Sequence, residues 1–344
     1  MTLVSIIIPA YNAAETLTET IFSALKQSHR AKEIIVVVDG ATDGTAAMAR
    51  SIARDYPDLR VIEQDNRGLA GARNRGIVEA RGQYVAPLDA DDIWHRDKIA
   101  LQLSALESEP GAALAYGWFR NIDTDNRVFP GSASPNVSGH VYYRHLDWNF
   151  ISNGSAPLVR TDVARDILYD TSMTLGCEDY LFQLQVARLH AFVCVPGWVM
   201  GYRRRHGSMS TDAIRMIRAH LQMYATLERD ADPVARRIIR AQVARLEMER
   251  ARNRGRRGAI GEAARATRRA LSNDWRAATA TARREIAVAV RRRHGLFPPA
   301  ERSFSSYGLQ EADGPWSSGR PARRDTWLAK LDEEHQTVGR IQRG

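Results

Sequence analysis

The stretch Glu33-Ile34-Ile35-Val36-Val37-Val38-Asp39-Gly40 decides the fold of this chain. A run of β-branched residues with no polar interruption is typical of a strand buried on both faces, as in a parallel sheet covered by helices. The run stops at Asp39-Gly40, two residue types that favour turns. We therefore predict a buried parallel strand over residues 33–38 that ends in a polar loop.

Strand and helix patterns alternate on both sides of this run. Strands are predicted at residues 4–8, 60–63 and 84–88, and helices at 14–27, 45–55 and 68–80. This alternation predicts an α/β fold in which a mostly parallel sheet is flanked by helices. Farther along, we predict a helix at 99–107, short strands at 113–119, 127–129 and 155–159, a helix at 180–189 and a strand at 192–195.

Three carboxylates lie within four residues directly after the strand predicted at 84–88, in Asp89-Ala90-Asp91-Asp92. Carboxylates this close repel one another, and a protein normally tolerates them where a hard cation such as Mg²⁺ or Mn²⁺ neutralises the charge. Asp92 has another reading, as the cap of a helix that begins near Ile93. Because capping uses one acid, Asp89 and Asp91 are predicted to hold a divalent metal that carries a phosphate.

Polar side chains follow three of the predicted strands, at Asn12, Asp39 and Asp89. In open α/β sheets, ligands bind at the carboxyl ends of the strands. We therefore expect these three side chains to share one site.

The composition is that of a folded protein, because 44% of the 344 residues are hydrophobic. This is enough for one large domain and an appendage. No run approaches the roughly 20 apolar residues of a membrane span, and we expect neither a transmembrane helix nor a signal peptide. The two cysteines, Cys177 and Cys194, fit neither a disulfide framework nor a zinc site. Free thiols suit a reducing compartment, and we expect a cytoplasmic protein.

Positive charge is concentrated in residues 213–295, which contain 21 Arg and no Lys against 8 Asp and Glu, a net charge of +13. The whole chain carries +9, so the remainder is mildly acidic, at −4. We predict three parts: an α/β domain at 1–212, an Arg-rich helical region at 213–297, and a flexible or loosely packed tail at 298–344. The basic part is expected to meet an anionic surface, either phospholipid headgroups or nucleic acid.

Helix signals recur in the basic part. Asp232-Pro233 is predicted to begin one helix, and Ser272 or Asn273 to cap another. Along one side of residues 273–294 lie Trp275, Ala278, Ala282, Ile286 and Ala289. Such a helix could lie on an anionic bilayer, at the cytoplasmic face of the inner membrane. The alternative, favoured for most of residues 213–295, is a helical region that packs its apolar stripe on the α/β domain.

Six motifs in order resemble those of the inverting family-2 glycosyltransferases, which have the GT-A fold. The resemblance covers about residues 2–212. The segments that carry it are 4–12, 33–45, 66–74, 89–92, 178–179 and 202–210. One departure is that Val38-Asp39 stands where many members have two aspartates, and Ala41 replaces the usual serine. The implied architecture is a GT-A, Rossmann-like domain with a C-terminal helical appendage.

The resemblance implies a role for each motif. Residues implied to bind the nucleotide of a sugar donor are Pro9, Ala10, Tyr11, Asn12, Asp39, Arg73, Asp89, Arg203 and Ser208. Of these, Asp39 would accept a hydrogen bond from the uracil edge. Asp91 and His206 would be metal ligands. Asp179 would be the general base that takes the proton of the acceptor hydroxyl.

Taken singly, several of these residues also have a structural reading. Asp39 is then a turn residue, and Arg73 a solvated arginine on a helix. The pair Glu178-Asp179 is then a helix cap, and the run from Arg203 to His206 a basic loop.

The implied function is the metal-dependent, inverting transfer of a sugar from a nucleotide-sugar to a glycan or lipid-linked saccharide, as in cell-surface polysaccharide synthesis. The expected donor is a UDP-sugar. Mn²⁺ or Mg²⁺ is the implied cofactor. Two other classes stay open. One is a catalytically silent module that binds sugar nucleotides or glycans. The other is a protein that binds nucleic acid through its Arg-rich helices, but no recognition motif supports it, and no nucleic-acid partner is expected.

Overall fold

The computed structural model describes residues 1–129, 134–205, 212–292 and 327–335. Its strands are β1 (Val4–Ala10), β2 (Lys32–Asp39), β3 (Leu59–Gln64), β4 (Tyr84–Pro87), β5 (Ile93–Trp94), β6 (Ala112–Ile122), β7 (Leu158–Arg160) and β8 (Ala191–Arg203). They form one eight-stranded sheet in the order β3-β2-β1-β4-β7-β6-β8-β5. The first four strands in this order are parallel to one another, as are β6 and β8, whereas β7 and β5 run antiparallel to their neighbours. The prediction of an α/β fold with a mostly parallel sheet is confirmed.

Helices cover the sheet and continue beyond it. They are α1 (Leu17–Leu25), α2 (Thr45–Asp55), α3 (Gly68–Glu79), α4 (Lys98–Ser108), α5 (Tyr142–Asp147), α6 (Thr161–Ile167), α7 (Glu178–Leu189), α8 (Ala213–Glu228), α9 (Pro233–Arg256) and α10 (Ile260–Arg292). Residues 327–335 form one more helix. Within the described ranges, every helix is too short or too polar to cross a lipid bilayer.

The strand predicted at residues 33–38 is β2, and it lies at the centre of the core. Residues 34–38 of β2 are at most 2% exposed, which agrees with burial on both faces. Ala10 of β1 lies opposite Val38 of β2, and Ile7 lies opposite Pro87 of β4. The carboxyl ends of β1, β2 and β4 therefore meet at one edge of the sheet, and this edge carries the candidate site.

Several short elements differ from the prediction. Ile93-Trp94 is a strand paired with β8, so no helix begins at Ile93 and Asp92 caps none. Residues 127–129 contribute only an isolated bridge, and α5 and α6 were not predicted. Such elements are stabilised by partners distant in sequence, which local patterns do not reveal.

The Arg-rich region is helical and shares the core of the sheet domain. Ile217, Met223 and Tyr224 of α8 are buried in that core, as are Ile238 and Ile239 of α9. The favoured alternative, packing on the α/β domain, therefore describes α8 and α9. The helix α10 instead packs along α9.

Three helix ends in this region have aspartate caps. Asp212 and Asp232 accept hydrogen bonds from the first amides of α8 and α9. The helix α10 breaks at Asp274, whose Oδ1 accepts hydrogen bonds from the amides of Arg276 and Ala277. The cap predicted at Ser272 or Asn273 is thus supplied by Asp274, one or two residues later.

Part of the predicted C-terminal tail is packed. In the helix at 327–335, Leu328 is 1% exposed. Asp332 accepts hydrogen bonds from the amide of Tyr143 at 2.5 Å and from Nε of Arg144 at 2.8 Å, which ties this helix to the start of α5. The prediction of a loose tail fails for these residues, and the rest of residues 298–344 lies outside the described ones.

Candidate active site

A cavity of about 670 Å³ opens at the shared carboxyl edge of β1, β2 and β4. Predicted site residues that line it are Pro9, Ala10, Tyr11, Asp39, Asp89, Asp91 and Arg203. The loop before α7 contributes Met173 and Gly176 to the opposite wall. The structure therefore brings the β1 loop, the β2 end and the acidic cluster to one place, as the sequence predicts.

The β1 and β2 loops form one end of the cavity. Tyr11 is 55% exposed, so its ring presents a wide face to a ligand. Asp39 is buried, and its Oδ1 accepts hydrogen bonds from Nε2 of Gln64 and from the amide of Arg67, both at 2.8 Å. These bonds fix the orientation of the Asp39 carboxylate at the cavity wall.

Asn12 does not line the cavity. Its φ of 46° is left-handed, a conformation that asparagine tolerates better than most residues. Its Oδ1 accepts a hydrogen bond from the amide of Thr42 at 2.8 Å. Asn12 thus ties the β1 loop to the loop that follows β2, and its predicted nucleotide contact stays a prediction.

Of the three acids in residues 89–92, two are partly exposed and one is buried. Asp89 and Asp91 line the cavity, with side chains 23% and 28% exposed. Asp92 is fully buried and accepts hydrogen bonds from Oγ of Ser155 at 2.6 Å and from the amide of Arg203 at 2.9 Å. Asp92 thus anchors the end of β8 beneath the other two acids.

Electrostatic repulsion within the cluster is substantial. Burial and the charge of Asp89 raise the pKa of Asp91, while Arg205 and Arg203 partly oppose the shift. Burial and the charges of Asp91 and Asp89 raise the pKa of Asp92 well above its usual range. A cation bound at Asp89 and Asp91 would relieve this repulsion.

The oxygen donors fit a hard divalent cation such as Mg²⁺ or Mn²⁺, and of the three acids in residues 89–92 Asp89 and Asp91 line the cavity. Among the described residues, no group of three His, Cys, Asp or Glu side chains could hold a metal ion. The other predicted ligand, His206, lies outside the described residues, as does Ser208.

Arg73 lies beneath the cavity and not in it. It is 1% exposed, its Nη2 donates to Oδ1 of Asp89 at 2.5 Å, and its Nη1 donates to Oε1 of Glu178 at 2.7 Å. Burial alone would lower the pKa of Arg73, but the charges of Asp89 and Glu178 outweigh it and hold that pKa well above its usual range. Neither direct nucleotide binding nor the solvated alternative fits this burial. Arg73 joins the acidic cluster to the start of α7.

Gly154 leaves the space that Arg73 fills. A Cβ atom at this position would lie 2.5 Å from Nη2 of Arg73, which cannot withdraw cheaply because both of its terminal nitrogens are bonded. We expect Gly154→Ala to lower the free energy of unfolding by about 1–3 kcal/mol, as overpacking does, and to weaken metal-dependent ligand binding. Urea unfolding measures the first effect. Gly111→Ala is the control, because nothing lies within 4 Å of a Cβ there. Equal stability of the two variants would contradict this packing argument.

Glu178 and Asp179 begin α7, and the structure separates their roles. Glu178 lines the cavity, but Arg73 holds its carboxylate. Asp179 is half-buried, does not line the cavity, and accepts a hydrogen bond from the amide of Tyr180 at 2.8 Å. Burial raises the pKa of Asp179, the charge of Asp89 raises it further, and Arg73 opposes the shift. Of the pair, Asp179 is the carboxylate that Arg73 does not bind directly.

Arg203 lines the cavity, but its guanidinium is engaged by the protein. Nε donates to the carbonyl of Asp91, Nη1 to the carbonyl of Asp123, and Nη2 to Oε2 of Glu19. The side chain is 2% exposed. The predicted phosphate contact is therefore not supported, and Arg203 instead holds the acidic loop in place.

Arg205 is a further candidate, which was not among the site residues predicted from the sequence. It lines the cavity, its side chain is 30% exposed, and its Nε lies 3.7 Å from Oδ2 of Asp91. In an extended segment, residues two apart point to the same side, so Arg205 could have been chosen together with Arg203. Its partial exposure makes it the better placed of the two to meet an anionic ligand.

Comparison with known proteins agrees with this arrangement. The family model for glycosyl transferase family 2 matches residues 5–165. An uncharacterized glycosyltransferase of Rickettsia felis is 36% identical over 141 residues, which are 41% of this chain and 23% of that protein. The putative teichuronic acid biosynthesis glycosyltransferase TuaG of Bacillus subtilis is 42% identical over 102 residues, or 29% of this chain and 40% of TuaG. The matched segments thus cover less than half of the length of each of these relatives.

Solved structures show the same fold at low sequence identity. TarS 1–349 of S. aureus, in complex with UDP-GlcNAc, has a TM-score of 0.56 and 21% identity over 70% of either chain. The mannosyltransferase PcManGT of Pyrobaculum calidifontis, in complex with GDP-Man and Mn²⁺, has a TM-score of 0.57 and 22% identity, covering 83% of this chain and 80% of PcManGT. The family match over residues 5–165 and the fold shared with these structures agree with the acids at the carboxyl edge of the sheet: this chain contains a glycosyl transferase family 2 domain, with the GT-A fold.

Proposed function

We propose that this protein is a metal-dependent, inverting glycosyltransferase that moves a sugar from a UDP-sugar to a glycan or lipid-linked saccharide. The observation that carries the proposal is the single cavity lined by Asp39 at the β2 end, by Asp89 and Asp91, and by Glu178 at the start of α7. A site that binds a nucleotide-sugar must recognise the base, compensate the negative charge of the diphosphate, and place an acid near the sugar. The cavity offers side chains for the base and the diphosphate, and α7, with the acids Glu178 and Asp179, begins at its wall.

The base would lie at the end formed by the β1 and β2 loops. Asp39 is held through Oδ1, so Oδ2 is the oxygen proposed to accept the N3–H of uracil. The exposed ring of Tyr11 can stack on the base. TarS in complex with UDP-GlcNAc supports a uridine donor, whereas PcManGT was solved with GDP-Man, so both nucleotides belong in the test.

The diphosphate would lie beside Asp89 and Asp91. A divalent cation bound there would stabilise the negative charge that develops on the departing nucleotide. Arg205 is proposed to add a positive charge from the protein side, since it lines the same part of the cavity.

Asp179 is proposed as the general base. In an inverting transfer, an acceptor hydroxyl oxygen forms a bond to the anomeric carbon while the bond from that carbon to the diphosphate oxygen breaks. The nucleotide leaves with the bonding electron pair, and the hydroxyl proton passes to Asp179. Glu178 suits this role less well because Arg73 already binds its carboxylate.

The acceptor class and the location are proposals of the same kind. The name of TuaG refers to teichuronic acid biosynthesis, and chondroitin synthase of E. coli is 34% identical over 126 residues, 37% of this chain and 18% of that protein. These relatives support an acceptor that is a growing polysaccharide. Both cysteines are free and buried, in keeping with a protein of the cytoplasm.

Isothermal titration with UDP and GDP, each with and without Mn²⁺, tests the donor site. We expect Mn²⁺ to tighten UDP binding, and Asp91→Ala to abolish this gain because the variant loses a metal ligand. Asp162→Ala is the control, since Asp162 is an exposed acid at the start of α6. Absence of binding by either nucleotide under every metal condition would refute the proposed donor site.

A further inference from the structure

The helix α10 exposes large apolar side chains and buries small ones. Ile260, Leu271 and Trp275 are 68%, 46% and 60% exposed. The buried residues of this helix include Ala266, Ala270 and Ala278, each at most 1% exposed. A surface helix of a globular protein normally buries its large apolar residues, so the exposed side of α10 is unusual.

The exposed apolar residues share one side of the helix. At 3.6 residues per turn, Ile260, Ala264 and Leu271 fall within a sector of roughly 40°. Ala264 is also exposed. Trp275 follows directly after the break at Asp274 and is exposed as well.

Exposed arginines accompany this apolar surface, at Arg265, Arg268 and Arg276. The guanidinium of Arg276 lies 5.5 Å from the centre of the Trp275 ring. We call these three arginines, together with Ile260, Ala264, Leu271 and Trp275, the α10 face.

Negative charge in this part of α10 is already engaged within the protein. Glu262 pairs with Arg254 at 3.0 Å. The carboxylate of Asp274 accepts hydrogen bonds from the helix that it caps. The α10 face is therefore complementary to a surface that is both anionic and apolar just below its charges.

We propose that the α10 face lies on a bilayer that contains anionic phospholipid. Arginine side chains would meet the headgroup phosphates, while Trp275, Leu271 and Ile260 would enter the boundary between headgroups and acyl chains. Nucleic acid would account for the arginines, but a phosphate backbone offers Ile260 and Leu271 no apolar partner. The proposal concerns the association of the protein with a membrane and does not depend on the proposed sugar donor.

Vesicle co-sedimentation of the full chain tests the proposal. Wild type is expected to bind vesicles of phosphatidylglycerol mixed with phosphatidylcholine, to bind phosphatidylcholine alone weakly, and to lose binding at high salt. The triple variant Arg265→Ser, Arg268→Ser, Arg276→Ser should bind about 100-fold more weakly, at roughly fivefold for each arginine. The double variant Leu271→Ser, Trp275→Ser should bind at least about tenfold more weakly because its inserted apolar area is lost.

A matched control places the same changes on the sheet domain. Arg54→Ser with Val78→Ser removes an exposed arginine from α2 and an exposed apolar residue from α3, and vesicle binding should not change. Circular dichroism of each variant confirms that it is folded.

Four outcomes would overturn the proposal. The first three are wild-type binding that does not require anionic lipid, α10 variants that bind as wild type does, and loss of binding in the arginine variant but not in the apolar one. The fourth is wild type that does not bind vesicles; if it binds single-stranded polyuridylate instead, the arginines are assigned to nucleic acid. Vesicle binding decides this proposal even if UDP binds to no form of the protein.

Discussion

Asp179→Asn is expected to lower kcat for sugar transfer by about 10²–10⁴-fold, the usual contribution of a general base. Asparagine keeps the size of the side chain and can still accept the hydrogen bond from the Tyr180 amide. What it loses is the ability to take the acceptor proton. Affinity for UDP should therefore stay close to that of wild type, and steady-state kinetics with titration of UDP measure the two effects separately.

Asp162→Asn is the matched control for this variant. Asp162 stands in the first turn of α6, and its Oδ1 accepts a hydrogen bond from the next amide at 2.8 Å, as Asp179 does in α7. Any weakening of this hydrogen bond by the change to asparagine would affect both variants alike. Full transfer activity in Asp179→Asn would remove Asp179 from the chemistry and direct attention to Glu178.

The pH dependence of transfer should carry the signature of the same carboxylate. A base works only when it is deprotonated, and burial raises the pKa of Asp179 above its usual value of 3.8. Activity should therefore fall with decreasing pH through this raised pKa, at a higher pH than an ordinary aspartate would give. In Asp179→Asn, the residual activity should lack this acid limb. A wild-type profile that is flat down to pH 4 would contradict the assignment.

Sequence patterns predicted the sheet domain well because its signals are local. The apolar runs of β1 and β2 are continuous, and α2 was predicted with the bounds that the structure shows, Thr45–Asp55. The acids at the end of β4 reach the cavity for the same reason, since parallel strands deliver their carboxyl ends to one edge. The positions of Asp39 and Asp89 followed from the fold class, whereas Arg73, Asp179 and Arg203 were assigned through the family resemblance.

The roles of individual polar residues could not be predicted in the same way. Asn12, Arg73 and Arg203 lie where the motifs place them, yet each is bonded to other parts of the protein. Partners such as Glu178 for Arg73 are distant in sequence, so a motif shows that a residue is near the site but not whether it faces the ligand. Burial decides between the two, and burial depends on the assembled fold.

Arg73→Met is expected to lower the free energy of unfolding by about 3–5 kcal/mol, the cost of leaving buried charges without their partner. Arg73 is 1% exposed and compensates both Asp89 and Glu178, of which Glu178 is 6% exposed. Methionine fills much of the same space, so the loss is mainly electrostatic. Urea unfolding of the two proteins at neutral pH measures the difference.

Two further variants isolate the electrostatic cause. Arg75→Met changes an arginine two residues along the same helix, whose pair with Glu79 is partly exposed, and should cost much less stability than Arg73→Met. Adding Glu178→Gln to Arg73→Met should recover part of the loss, because one of the unpaired charges is removed. A double variant no more stable than Arg73→Met would show that lost packing, and not lost charge compensation, is responsible.

The loss caused by Arg73→Met should also depend on pH with a definite sign. Burial raises the pKa of Glu178 above its usual 4.5, and Arg73 opposes that rise, so removing Arg73 must raise the pKa further. An acid whose pKa is higher in the folded than in the unfolded state destabilises the fold. The penalty is absent below the unfolded-state pKa, grows as the pH rises between the two pKa values, and is full above the folded-state pKa. The difference in stability between wild type and Arg73→Met should therefore shrink as the pH falls toward 4.5. A difference that stays constant over this range would exclude Glu178 as the group that Arg73 stabilises.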